Sequence, residues 1–267
     1  MVVNSSKNHF AWFLSAFSPS ISLGVVLIAS FWFFSAGMGF ISVESLHRFA
    51  FNVFFRPENA FFFLLIHTGF GHLIANVVLI LLAGFVLEKR VSKIHVIGLF
   101  LICGIFSVVL YNFFQLNFFG IGASGGAVGL VTAALIMDPK KALGALFASV
   151  VIVVLAASLL PFLHSSFESA LDSWKNQAQS ELVEALDQND SAEIEKKVEE
   201  LNRVEQTIEQ RKESVAFEQK VPVANWAHLF GSLLAVGYLG VFLRSDFKSA
   251  LKENAKLLRA DAKIRKK

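Results

Sequence analysis

The chain has 267 residues, 55% of them hydrophobic and 29 of them Phe, with a mean hydropathy of +0.58. That is more apolar surface than a water-soluble domain can bury, so the bilayer is the expected solvent. A single cysteine, Cys103, excludes an intrachain disulfide framework, and the net charge of +3 hides a sharp asymmetry. Residues 164–220 hold fourteen acidic and seven basic side chains, whereas 244–267 hold nine basic and three acidic. Such polarity speaks of sidedness across a membrane rather than of nucleic acid.

Residues 1–21 carry Lys7 and His9 ahead of an aromatic run, Phe10 to Phe17, broken by Ser18-Pro19-Ser20. This predicts an interfacial N-terminal segment. A cleaved signal peptide is disfavoured, because a longer apolar run able to span follows from Leu23 to Ile41. A polar interval at 42–59 includes Glu44, His47, Arg48, Arg56 and Glu58. The second apolar run, Ala60 to Leu87, contains His67, His72 and Asn76 and is closed by Glu88-Lys89-Arg90. A third runs from Ile94 to Phe114. A fourth, Ser124 to Met137, is so short that it should start below the membrane surface and be surrounded by protein. Asp138-Pro139-Lys140-Lys141 ends it, a fifth covers Ala142 to Leu163, and the sixth runs from Trp226 to Leu243.

The expectation is an all-α polytopic membrane protein with six spans. An N-terminal interfacial segment (1–21) precedes five spans (22–163), an acidic helical insert (164–221), the sixth span (222–243) and a basic tail (244–267). Six spans put both termini on one side, together with the basic clusters at 89–93, 140–141 and 244–267. Basic loops stay inside, so the termini are expected in the cytoplasm of a cell-membrane protein and the insert outside. Within the insert, Leu171, Trp174, Ala178, Leu182 and Ala185 recur at helical steps, as do Ile194, Val198, Leu201, Ile208 and Val215. Gln188-Asn189-Asp190 interrupts the two series, and Asp190 with Glu193 matches a cap and its return partner. Two amphipathic helices follow, serving as a solvated spacer, a client-docking or gating element, or a surface for self-association.

Gly122-Ala123-Ser124-Gly125-Gly126 opens the short fourth run. Gly122 with Gly126, and Gly125 with Gly129, are small residues four apart, a pattern that packs membrane helices closely. A serine there also invites a chemical reading, because polar groups in hydrocarbon are costly and usually functional. His72 and Asn76 share one helix face, and the topology brings Ser124, His67, His72, Asn76 and His228 to one depth. Three histidines could bind zinc. However, His67 and His72 lack the four-residue spacing of two ligands on one helical face, and no Asp, Glu or Cys joins them. A serine nucleophile with a histidine base uses the same residues better, with His72, the Asn76 amide and the Ser124 backbone N–H as oxyanion donors. No carboxylate is available at that depth to orient the base, so the unit would be a Ser–His dyad.

These residues resemble the rhomboid intramembrane serine proteases. Gly122-Ala123-Ser124-Gly125 is similar to the family's Gly-x-Ser-Gly, and His67, His72 and Asn76 to its His-x4-His-x3-Asn. Ala227-His228-Leu229-Phe230-Gly231 is similar to the Ala-His-x-x-Gly of the last core helix. The resemblance covers about 60–163 and 222–243. It implies Ser124 as nucleophile, His228 as general base, His72 and Asn76 as oxyanion donors, and His67, Gly122 and Gly125 in support. It implies no cofactor and no metal, and transmembrane proteins as substrates. The chain departs from many members at Val128, where an aromatic is common, at Ala235, where glycine is common, and in a first loop without a Trp-Arg pair. The alternatives are a catalytically silent relative that binds membrane-protein clients and a proton-coupled transporter. The latter lacks intramembrane carboxylates and paired repeats.

Overall fold

The computed structural model describes residues 18–35, 40–220 and 225–264, so residues 1–17 of the interfacial segment expected at 1–21 lie outside the described residues. The architecture is helical: α1 (Pro19–Phe34), α2 (Val43–Phe49), α3 (Phe70–Leu87), α4 (Lys93–Phe114), α5 (Ser124–Met137), α6 (Pro139–Asp187), α7 (Ser191–Lys220), α8 (Asn225–Phe242) and α9 (Arg244–Ile264). Among the described residues the strand-like pairings are two isolated bridges, Phe51 with Gly120 and Asn52 with Arg56. Helices α3, α4, α6 and α8 are long and apolar enough to cross a membrane, while α1 and α5 are shorter apolar helices.

The bundle is built around α5. At 14 residues it is about 21 Å long, well short of the ~30 Å hydrocarbon core. Ala127, Leu130, Ala133 and Ala134 are fully inaccessible, no residue of it is fully exposed, and it packs on α3, α4, α6, α8 and α9. Small residues make this possible. A Cβ on Gly126 would lie 2.6 Å from the Phe100 carbonyl, and one on Gly129 would lie 2.4 Å from Cys103 Cβ, both on α4. The glycine spacing therefore serves helix packing. The membrane half of α6, by contrast, turns Phe147, Val154, Leu155 and Phe162 outward.

Charged groups fasten one end of the bundle. Glu88 Oε1 accepts hydrogen bonds from Ser18 Oγ (2.7 Å), Ser20 N (2.9 Å) and Ser20 Oγ (2.5 Å), a carboxylate at the N-terminus of α1. Asp138 caps α6 and receives Arg90 Nη2 and Lys141 Nζ, each at 2.9 Å. Burial pushes its carboxyl up, but the hydrogen bonds from Lys141 and Arg90 outweigh that and hold it below the usual carboxylate range. Helix α9 lies across the same end, where Asn254 Nδ2 donates to the Ile136 carbonyl at the end of α5 (2.9 Å).

Several boundaries differ from the sequence reading. Helix α1 starts ahead of Leu23, where the first apolar run was read to begin: Ser18 caps the helix and Pro19, whose missing N–H costs nothing there, is its first residue. The run from Ala60 is helical only from Phe70. Before that it holds the 3-10 turn Phe62–Leu64, which follows another at Pro57–Asn59, and His67 sits on a loop. Helix α6 does not stop at Leu163 but continues through Pro161 to Asp187 in one piece of 49 residues, about 74 Å. It then turns at Asn189, which takes the left-handed conformation (φ 53°), and α7 returns antiparallel to it. Lys175 pairs with Glu205 at 2.9 Å, and Lys197 with Glu181 nearer the turn. Leu171, Ala178, Ala185 and Val204 fill the seam, while Trp174 (43% exposed) and Val198 (41%) lie outside it. Asp190 Oδ1 accepts from the Ala192 and Glu193 N–H groups as a cap should, whereas the Glu193 carboxylate pairs with Lys196 and Lys197.

Candidate active site

Ser124 is the first residue of α5, and its turn is fixed from outside the helix. Gly122 N donates to the Phe63 carbonyl (2.8 Å), and Phe51 and Gly120 exchange backbone hydrogen bonds at 2.9 and 2.8 Å. Asparagines brace that loop. Asn52 Nδ2 donates to the Leu116 and Phe118 carbonyls at 2.6 and 2.8 Å, and Asn112 Oδ1 accepts from Val53 N at 3.0 Å. Gly122 has φ +99°, a region that side chains rarely adopt, and a Cβ there would lie 2.6 Å from His72 Cε1. The glycine thus lets the His72 ring close onto the serine turn.

His228 lies in the first turn of α8. Its Nε2 is 2.9 Å from Ser124 Oγ, within proton-transfer distance. Both groups are half-buried. The approach depends on tight packing between α5 and α8, where Thr132 Oγ1 also donates to Ser232 Oγ at 3.0 Å. Among the described residues no carboxylate hydrogen-bonds to the His228 ring. The half-buried Val128 occupies the position four residues after the serine.

His72 Nδ1 is 3.2 Å from Thr68 Oγ1. With the hydroxyl donating, the ring proton resides on Nε2, and His72 becomes a donor on the Gly122 side. Asn76 is buried, and its Nδ2 donates to the His72 carbonyl one turn back at 3.0 Å, leaving one amide hydrogen for another acceptor. His67 is fully buried, has no hydrogen-bond partner at either ring nitrogen, and meets the His72 ring edge-on with centroids 5.2 Å apart. It therefore stands behind His72. A Cβ on Gly125 would lie 2.3 Å from Ser107 Oγ, so that glycine is needed for α5 to approach α4. Among the described residues no group of three His, Cys, Asp or Glu side chains is arranged to hold a metal ion.

The arrangement supplies a hydroxyl, an imidazole that can take its proton, and N–H donors from the helix start and from His72, as acyl transfer requires. Thr68, Asn52 and Asn112 were not singled out from the sequence. Their role is to hold other groups, which no motif spacing reveals.

A family model described as the Rhomboid domain matches residues 56–176, which includes His67, His72, Asn76 and Ser124 and ends before His228. Neither curated proteins nor solved structures gave a match. With its four long apolar helices, the matched chain is an integral membrane protein.

Proposed function

Because the chain belongs to the rhomboid family, we propose that it is an intramembrane serine endopeptidase cutting peptide bonds in or near the transmembrane segments of other proteins. The observation that carries this is the 2.9 Å contact between Ser124 Oγ and His228 Nε2. In the proposed reaction His228 takes the hydroxyl proton as Ser124 attacks the scissile carbonyl. The Ser124 N–H, His72 and Asn76 receive the tetrahedral oxyanion. His228 then gives the proton to the leaving amine, and water, activated by the same imidazole, releases the acyl group. No metal or organic cofactor enters this scheme. A helical substrate must unwind locally to offer its carbonyl, so helix-poor residues at the cut lower the cost.

The proposed topology has six spans, with the short α1 and α5 among them. Lys89, Arg90, Lys140, Lys141 and Arg244 border the end of the bundle opposite Ser124, which supports a cytoplasmic location for that end. Both termini then lie inside, in the cell membrane, and the dyad and insert outside. The insert is also the surface proposed for client docking or self-association.

The test is reconstitution into vesicles with single-span reporter proteins, followed by mass analysis of fragments. The proposal expects cuts within or beside the apolar segment that disappear with Ser124→Ala. Retention of intact reporters by both proteins would favour a client-binding relative without peptidase activity.

A further inference from the structure

The insert hairpin has a hold on each side of the candidate dyad. The first hold leads to Ser124. The foot of α7 sits on the loop that follows α1. There Ser214 Oγ donates to the Ile41 carbonyl at 2.8 Å, Phe217 meets His47 edge-on at 5.6 Å, and Arg211 lies over Phe40 at 5.9 Å. The far end of this loop is hydrogen-bonded into the serine turn, Phe51 to Gly120 and Phe63 to Gly122. The second hold leads to His228. It runs along the chain, since α7 ends at Lys220 and α8, which carries His228, starts at Asn225.

The foot is held by contacts that exchange readily for water. Arg211 is only 6% exposed and stacks on Phe167 at 4.4 Å. Its Nε and Nη2, the side-on pair that would grip a carboxylate, have no hydrogen-bond partner. Aromatic faces compensate the charge but leave the in-plane N–H groups unsatisfied, a cost that undocking would remove. The docked foot is therefore balanced against release.

We propose that Arg211, Ser214 and Phe217 are positioning residues through which the extramembrane hairpin sets the approach of His228 to Ser124. The docked foot is the arrangement in which the dyad is closed. Releasing it frees the loop that braces the serine turn, and an error of about 1 Å at the dyad costs on the order of 100-fold in rate. The chemical readout of this idea rests on the peptidase reading above; its geometric readout does not.

The experiment uses the full chain in vesicles with the foot released by Arg211→Met plus Ser214→Ala. The geometric readout is disulfide formation between thiols introduced by Thr132→Cys and Ser232→Cys, in a Cys103→Ala background. These two hydroxyls lie 3.0 Å apart across α5 and α8. The chemical readout is the labelling rate of Ser124 by a fluorophosphonate probe. The proposal expects slower disulfide formation in the released protein and labelling slower by roughly 10- to 100-fold. Arg211→Lys, which keeps a cation over Phe167, should recover most of both. In a released protein without the reporter pair, a short thiol cross-linker joining His47→Cys to Phe217→Cys should recover the labelling rate. Disulfide formation at the wild-type rate in the released protein would overturn the proposal. Slowed disulfide formation with no labelling of any variant, wild type included, would support the coupling and overturn the peptidase reading instead.

Discussion

Gly231 on α8 faces the carbonyl oxygen of Gly125 on α5 so closely that a Cβ at position 231 would lie 2.6 Å from it. One residue before that carbonyl is Ser124, and one turn before Gly231 is His228. The two helix backbones thus come close at the level of the dyad. Close helix approach through glycine is a general membrane device; here it also sets a chemical distance. Gly231→Val should push α8 away from α5 and lower Ser124 labelling by at least about 10-fold, as misplacement near an angstrom does. Gly237→Ala, where a Cβ meets nothing within 4 Å, should leave labelling unchanged. Equal labelling of both variants would mean that the helix contact does not govern the dyad.

Gly122→Ala carries two penalties. It forces a side chain to φ +99° and drives a methyl group into the His72 ring. The cost of such a backbone is about 1–3 kcal/mol. Reporter cleavage should fall steeply while the helical circular dichroism signal stays at its wild-type value. Cleavage that persists at the wild-type rate would show that His72 need not rest on the serine turn.

His72 and Thr68 should separate in their effects. His72→Ala removes a proposed oxyanion donor, a loss of about 10²–10³ in kcat. Thr68→Val removes only the hydroxyl that fixes its ring, so kcat should fall by a smaller factor, with KM little changed. Steady-state cleavage of one reporter by both variants measures this. A larger loss with Thr68→Val than with His72→Ala would contradict the order of the two roles.

Asp138 predicts a pH-dependent stability. Its folded carboxyl titrates below the usual carboxylate range, so the unfolded state binds its proton first as pH falls. The stabilisation is complete above the unfolded value near 3.8 and is lost as pH drops through the lower folded value. Asp138→Asn should therefore lower the melting temperature in detergent at pH 7, and the gap to wild type should close toward pH 3. Asparagine can still cap the helix, so the loss is that of the charge and its ion pairs, about 1 kcal/mol. A gap that stays constant over this range would rule the carboxylate out as its source.

The helices were legible where charged, polar or glycine-rich stretches bound an apolar run. Ile94 to Phe114, Ser124 to Met137 and Trp226 to Leu243 in the sequence become Lys93–Phe114, Ser124–Met137 and Asn225–Phe242 in the structure. Hydropathy failed at 60–69, where Phe61 to Leu65 are as apolar as a span but belong to a loop whose backbone bonds to the serine turn, Phe63 O to Gly122 N among them. Long-range backbone pairing leaves no mark on composition. In the insert, helical period fixed two helices but not their phase. Trp174 and Val198 fit an apolar stripe, yet Val204 and the cation Arg211 take the buried places. Ser124 stood out for its flanking glycines and His228 as the one imidazole of the last apolar run, and the two lie 2.9 Å apart. Thr68 was invisible for the opposite reason: a loop threonine between two histidines is unremarkable until its hydroxyl is seen 3.2 Å from Nδ1.

The central claim is that Ser124 is a nucleophile because His228 takes its proton, and mapping the fluorophosphonate adduct tests it most directly. The purified protein is treated with the probe, digested, and the peptide containing Ser124 is weighed. The account predicts phosphonylation at Ser124 in the wild type, reduced by roughly 10²- to 10⁴-fold by His228→Ala. An adduct at Ser124 that forms equally fast without the His228 imidazole would contradict it.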